Sequence, residues 1–468
     1  MHSEEEPVMR KIPALWCLLL LFPALLLAGC AWEKAPAAPV SLMIWHVYGE
    51  QTDSPLNRMI EDFNETEGAE KGIRVEVTSV SNTNVIHDAV LAAESGQPGA
   101  GDLPDLFVSY PKTVLAMQDA SILANYEDYL SEEELSSFIP SFLEEGYVDG
   151  RLVILPVAKS TEILFLNQTA YDAFSEETGA RREDLATWEG LFRQAQQYYA
   201  WTDAKTPDTP LDGKAFFVHD YHFDYFQVGT ESLGEDFFDG DGLAFGPAFH
   251  EVFVPYARAA ISGGLWLGDG YATEPLRTGD AICAAASSAG VLYYSDVITS
   301  EDNTSEQITF SAMPCPVFED GRKLVMQRGA GICLVKSEKA REEAAVAFLS
   351  WLTDPSRNVD FVTKAGYMPV KTQSFSYLGD AIGDLSDPKY VAMYQALLKT
   401  QKDYSYYTTP QLDSYLTLET AFEKNIRQVM RSARKQYISQ GADPAVLDLL
   451  VEDSYTSFLS VMQRGTSN

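Results

Sequence analysis

The sequence predicts an α/β protein whose sheets are covered by helices on both faces. Three observations carry that prediction. Short apolar or alternating segments at Ser41–Trp45, Ile73–Val80, Leu103–Ser109 and Leu152–Pro156 read as strands. Segments of helical period stand between and after them, and strands alternating with amphipathic helices argue for α/β layering. No internal repeat or low-complexity block follows the first forty residues, which excludes solenoids and disordered scaffolds.

The chain opens on a secretory pattern. Ile12 to Gly29 is almost uninterruptedly apolar behind Arg10 and Lys11, and too short and too interrupted by Pro13 and Pro23 to span a membrane comfortably. Residues 1–29 read as a signal peptide, with Met9 preferred over Met1 as the start because Glu4, Glu5 and Glu6 do not suit a basic leader. Leu27-Ala28-Gly29-Cys30 resembles the bacterial lipobox, in which the cysteine takes a diacylglycerol before cleavage. Residues 30–39 then read as a lipidated Cys30 and a flexible tether, holding the body at the outer face of the bacterial cytoplasmic membrane.

Beyond the tether, Ser54 and Pro55 form an N-cap and first-position proline ahead of Leu56, Met59, Ile60 and Phe63, a helix between the first two strands. Asp149-Gly150 is a turn before the strand at Leu152. Thr187 to Tyr294 is mostly helical in pattern, with stripes at Trp188, Leu191, Phe192 and Ala195 and over Val252–Ala260. An α/β patch returns at Met326–Val335, followed by a helix carrying Ala345, Phe348, Leu349 and Leu352, and the tail from Pro410 is helical.

Composition narrows the function. With 34 basic against 68 acidic residues and a net charge of −34, the surface repels nucleic acid and anionic membranes. Cys283, Cys315 and Cys333 lack CxxC spacing and read as buried free thiols, one bridge remaining open. No P-loop or GxSxG occurs, and His250-Glu251 lacks the second histidine of HExxH. Asp239-Gly240-Asp241-Gly242 is a turn, because an EF-hand beginning at Asp239 would place His250 where its bidentate glutamate belongs. His219 and His222 sit among aromatics that suit a core or a cleft lining better than a metal site. Neither cofactor nor metal is expected, although the abundant carboxylates leave a glycosidase-like pair open.

Aromatic and small polar residues recur at strand ends, as in Trp45-His46-Val47-Tyr48 and Ser109-Tyr110. Ligands bind beyond the carboxyl ends of strands in open α/β sheets, and an aromatic plate beside hydrogen-bonding groups suits a sugar.

The ordered stretches "LPDLFVSYPKTV" from Leu103, "DGRLVILPVAKSTEILFLNQTAYDAF" from Asp149, "TWEGL" from Thr187, "SSAGVLYY" from Ser287, "MPCPVFEDGRKLVMQRGAGICLVKS" from Met313 and "AAVAFLSWLTDPSRNVDFVTKAGYMPV" from Ala344 span most of the chain. Together with the lipobox they resemble family 1 of the extracellular solute-binding proteins, the carbohydrate and glycerol-phosphate receptors of ABC importers that include the maltose-binding type. The resemblance implies a two-lobed periplasmic-binding-protein-like fold (type II) with the ligand cleft between the lobes. It implies a first lobe of residues 40–156 plus 323–375 and a second of 157–322 plus 376–468. The chain would cross at Pro156-Val157 and again after Pro314 and Pro316.

The same resemblance points to Trp45, Tyr48, Tyr110, Trp266 and Tyr367 as aromatic lining, with Trp45, Tyr110, Trp266 and Tyr367 stacking on sugar faces. Ser160 and Ser288 are implied in the cleft beside them, with Glu162, Asp220 and Ser287 as hydroxyl partners and Lys159 and Arg328 as the cations that meet an acidic or hydroxyl-rich rim. Glu162 could equally pair with Lys159 or Arg328 as a structural tie. The implied partners are a carbohydrate and the ABC permease subunits, with the receptor a monomer on its lipid anchor. A glycerol-phosphate or related polyol-phosphate receptor, a receptor feeding a sensor kinase, and a surface glycan hydrolase are the alternatives.

Overall fold

The computed structural model describes residues 39–465 except 49–53, 81 and 300–302. The signal segment, Cys30 and all of the tether but its last residue lie outside the described residues.

Strand β1 (Val40–His46) pairs in parallel with β2 (Ile73–Ser79) and β3 (Leu106–Ser109). Helix α1 (Pro55–Glu65) joins the first two, and the sequence-level reasons hold: Ser54 accepts from the Asn57 amide, Pro55 opens the helix, and Leu56, Met59, Ile60 and Phe63 are buried. Helix α2 (Thr83–Glu94) and the short α3 (Pro111–Leu115) come after the carboxyl ends of β2 and β3. After β4 (Leu155–Pro156), in the first sheet, the chain passes through residues 157–159 into the longest described strand, β5 (Ser160–Asn167), in the second.

The second lobe is built on β5. Strands β6 (Phe217–His219), β7 (Cys283–Ser287), β8 (Phe310–Pro314) and β9 (Leu324–Arg328) complete its sheet with a late strand, β11 (Ser405–Tyr407). Along one edge of β5 runs β7; along the other run β8 and then β9, all antiparallel to it. Helices α4 (Trp188–Asp203), α5 (His222–Ser232) and α6 (Pro247–Ser262) pack this half, and Trp188, Leu191, Phe192 and Ala195 are buried as their spacing predicts.

Strand β10 (Gly331–Leu334) returns to the first sheet, lying antiparallel between β3 and β4. The resemblance places residues from 323 in the first lobe, with the crossing after Pro314 and Pro316; β9, within that stretch, pairs with β5 and β11 in the second sheet. The chain changes sheets at Gly329-Ala330. Gly329 has φ +94°, and a Cβ there would stand 2.8 Å from the Ser160 amide and 2.9 Å from the Lys159 Cα, so a glycine lets the two crossing segments touch.

Helix α7 (Lys339–Leu352) closes the first lobe, where the rings of Phe63 and Phe348 lie 5.1 Å apart. Helix α8 (Pro388–Asp403) packs on β8, and α9 (Tyr415–Ser439) and α10 (Pro444–Gly465) complete the second lobe, with Phe422 and Phe458 4.9 Å apart. Cys283, Cys315 and Cys333 are free and buried. Among the described residues no helix is long and apolar enough to cross a membrane, and no cluster of His, Cys, Asp or Glu could hold a metal ion.

Candidate functional site: the cleft between the lobes

A cleft of about 1080 Å³ opens between the lobes. The first lobe contributes two segments just past the carboxyl ends of β2 and β3. One is Asn82 to Asn84, where Asn82 caps α2 by accepting from the Val85 amide; the other is the start of α3, from Tyr110 to Lys112. The second lobe contributes Tyr221 and Asp224 after β6, Tyr271 from a loop, Arg328 at the end of β9, and one face of α9 beginning at Tyr415.

Arg328 is the centre of the floor. Its guanidinium lies 4.4 Å from the centroid of the Tyr221 ring, and its Nη1 is 3.4 Å from Glu162 Oε1 and 3.4 Å from Asp224 Oδ2. Burial pushes both carboxyls above their usual range; the Asp224 charge adds to the rise at Glu162, and Arg328 pulls both down. The carboxylates in turn hold Arg328 charged against its own desolvation. His219 lies beside Glu162, 3.8 Å from Nε2 to Oε2, but burial lowers its pKa to about 3 and keeps it neutral.

Of the residues expected from sequence, Tyr110 and Arg328 line the cleft. Glu162, Ser160, Ser287 and Asp220 lie beneath it. Ser287 donates to the Ser160 hydroxyl at 3.2 Å, and Asp220 accepts from the Ala272 amide at 2.6 Å. Lys159 is spent on structure: its Nζ is 2.6 Å from Glu145 Oε2 and donates to the Gly329 carbonyl. Tyr48 is buried, donating to the Ala330 carbonyl at 3.3 Å, and meets the half-buried Tyr367 edge-on. Ser288 is fully buried, and its hydroxyl has no hydrogen-bond partner among the described residues.

Trp45 is half-buried against the first core, because the alternation of β1 sends His46 and Tyr48 to one side and Trp45 to the other. Trp266 lines a separate cavity of about 790 Å³ in the second lobe, beside Tyr199 and Arg434. Sequence reasoning missed Tyr221, Asp224, Tyr271, Tyr415 and Glu419, which the structure brings to the cleft. The aromatic run around Tyr221 was the available signal for the first two; nothing local marks the tail helix as a wall.

Deeper along α9, Glu423 accepts from the Phe223 amide at 2.8 Å and stands 2.8 Å from Arg427, while burial pushes its carboxyl up to about 7. Tyrosine faces beside carboxylates, a guanidinium and amides can hold a hydroxyl-rich solute by stacking and hydrogen bonds. Glu162 and Asp224 both lean on Arg328, so that cation is already paired within the floor.

The profile of the bacterial extracellular solute-binding proteins matches residues 58–425. The chain belongs to that family. Among solved structures, this solute-binding protein is similar to the cyclic alpha-maltosyl-1,6-maltose binding protein from Arthrobacter globiformis, at 18% identity and TM-score 0.62 over 91% of this chain and 100% of that one. It is similar to maltose-bound MalE3 of T. maritima at 17% identity and TM-score 0.61, covering 90% and 99% of the two chains. It is also similar to UgpB from Mycobacterium tuberculosis in complex with glycerophosphocholine, at 16% identity and TM-score 0.59, covering 91% and 98%. A search among curated protein sequences returns no match. At these identities the likeness establishes the two-lobed α/β fold of this solute-binding protein.

Proposed function

We propose that the protein is the receptor of an ABC importer, held at the outer face of the bacterial membrane by a lipid on Cys30, and that it takes a carbohydrate in the cleft and presents it to the permease. The observation that carries this reading is the placement of Tyr110 on one wall and Tyr221, Tyr271 and Tyr415 on the other, so that a sugar touching both sets ties the lobes together. Ligand that meets both walls only when the cleft is shut favours the shut state by its differential binding energy. Closure turns about the segments that cross at residues 157–159 and at Gly329-Ala330. In this reading no bond is broken, and the pairing of Glu162 and Asp224 with one guanidinium, Arg328, supports it.

A polyol-phosphate cargo is the second reading, favoured by the fold shared with the glycerophosphocholine-bound protein. A thermal-shift panel of the purified protein against mono- and oligosaccharides, glycerol phosphate and its diesters tests both. Ligand at 100 times its Kd adds roughly 2.7 kcal/mol of stability. A raised Tm with a compound recovered chemically unchanged supports the receptor; turnover of a glycan, lost on removing one cleft carboxylate, would replace it with a hydrolase. Acyl labelling compared between wild type and Cys30→Ala tests the anchor, and equal labelling of the two sinks it.

A further inference from the structure

The cleft is where this acidic protein stops being acidic. The whole chain carries 34 bases and 68 acids. Among the described residues that line the cleft, Lys112, Arg328, Lys424, Arg427, Arg431 and Lys435 face five carboxylates: Glu145, Asp224, Asp269, Glu419 and Glu423. The excess comes from α9. From Lys424 the chain places five bases before its next acid, Asp443, a longer run of bases without an acid than any other in the sequence. Lys424, Arg427, Arg431 and Lys435 succeed one another at three- and four-residue spacing, so they share the helix face turned to the cleft.

Two structural duties fail to account for this stripe. Complementing the helix dipole acts only over the last turn, and Lys424, Arg427 and Arg431 stand well before Ser439. Internal pairing occupies some of the bases and not others. Arg328 is shared by Glu162 and Asp224, Arg427 by Glu423, and Arg431 by Asp269 and the Leu267 carbonyl; Lys112 faces Asp224 and Glu419. Lys424 and Lys435 are exposed and have no hydrogen bond or ion pair among the described residues. Arg431 and Lys435 also line the Trp266 cavity, so the basic face joins the two spaces.

We propose that the cargo carries an oxyanion, a sugar carboxylate or a phosphate ester, and that Lys424 on α9, backed by Arg427 one turn on, holds that group while the hydroxyl-bearing part lies against Tyr110 and Tyr221, with Lys435 about 16 Å further along the same face adding to the positive field that draws the anion in. This rests on the receptor reading and deepens it by naming the charge of the cargo. Exposed lysines meet an anion without the cost of a fully buried charge, and on a surface otherwise acidic they mark where its approach is least opposed.

The test is calorimetric titration of the purified protein with matched pairs: trigalacturonate against maltotriose, and sn-glycerol 3-phosphate against glycerol, with glycerophosphocholine as a diester. Each is run at low salt and at about 300 mM salt, where screening weakens exposed charge contacts. We expect one anionic member to bind at least about tenfold more tightly than its neutral partner, and Lys424→Glu with Lys435→Glu to weaken it by about tenfold. The salt arm should move the same way, and the unliganded Tm of the variant should stay at the wild-type value. Binding of trigalacturonate assigns a carboxylate and binding of either glycerol phosphate compound a phosphate. A neutral member that binds as tightly as its anionic partner, or an anion insensitive to the double substitution, overturns the proposal and leaves the receptor standing. No binding by any member overturns both.

Discussion

The guanidinium of Arg328 rests on the face of Tyr221, 4.4 Å from its centroid, at the point where the second sheet ends and the crossing to the first begins. The stack makes the cleft floor a fixed cation on an aromatic plate, with Glu162 and Asp224 fastened below it.

Removing that cation leaves two buried carboxylates without their shared partner. Arg328→Ala should lower unfolding stability by about 3 kcal/mol, and Arg328→Lys by less because one ammonium cannot stack and reach both acids. Urea denaturation of the unliganded protein measures the loss, and a change under about 0.5 kcal/mol would show that the cluster is not held by Arg328.

Tyr110 and Tyr221 stand on opposite walls, so each should matter to binding, Tyr221 also through the Arg328 guanidinium that rests on it. Alanine at either position should weaken the ligand by about tenfold, or about 1.4 kcal/mol, in calorimetry. If both alanine variants bind as tightly as wild type, the ligand does not sit between these walls.

Glu423 supplies a pH dependence whose sign is fixed. Its folded pKa is raised to about 7 by burial, so between the ordinary glutamate range and 7 the folded chain holds more protons than the unfolded one. Stability therefore falls as pH rises through that window. Glu423→Gln should flatten the dependence by about 1–2 kcal/mol between pH 5 and pH 7, seen as a smaller drop in Tm than in wild type. Equal drops in the two proteins would mean that Arg427 holds the carboxylate ionised throughout.

At Gly329 the backbone conformation and the contact with Ser160 and Lys159 both oppose a side chain. Gly329→Ala should cost about 2–3 kcal/mol in denaturant unfolding. An alanine variant as stable as wild type would show that the crossing segments can part at no cost.

The α/β class and helix α1 were legible because their signals are local: a cap, a proline and an apolar stripe all fall within Ser54 to Phe63. The stretch from Leu324 to Leu334 misled for the opposite reason. It reads as one patch, yet β9 and β10 belong to different sheets, and the switch depends on distant neighbours, Ser160 for Arg328 and Ser109 for Gly331. The site divided in the same way. Tyr110 sits just past a strand that its own residues predict, whereas Tyr415 and Glu419 reach the cleft through packing of Leu418 and Phe422 that no nearby sequence announces. Lys159 stands 2.6 Å from Glu145, a partner fourteen residues away that the sequence around it does not announce.

Helix α9 keeps its two duties on separate faces. Leu418, Phe422, Ile426 and Met430 bury one stripe, and Glu419, Glu423, Lys424 and Arg427 turn another to the cleft. Substitutions on the cleft side of this helix can therefore accumulate while the other side keeps the lobe folded, so the lining of the cleft is free to diverge between lineages faster than the scaffold behind it.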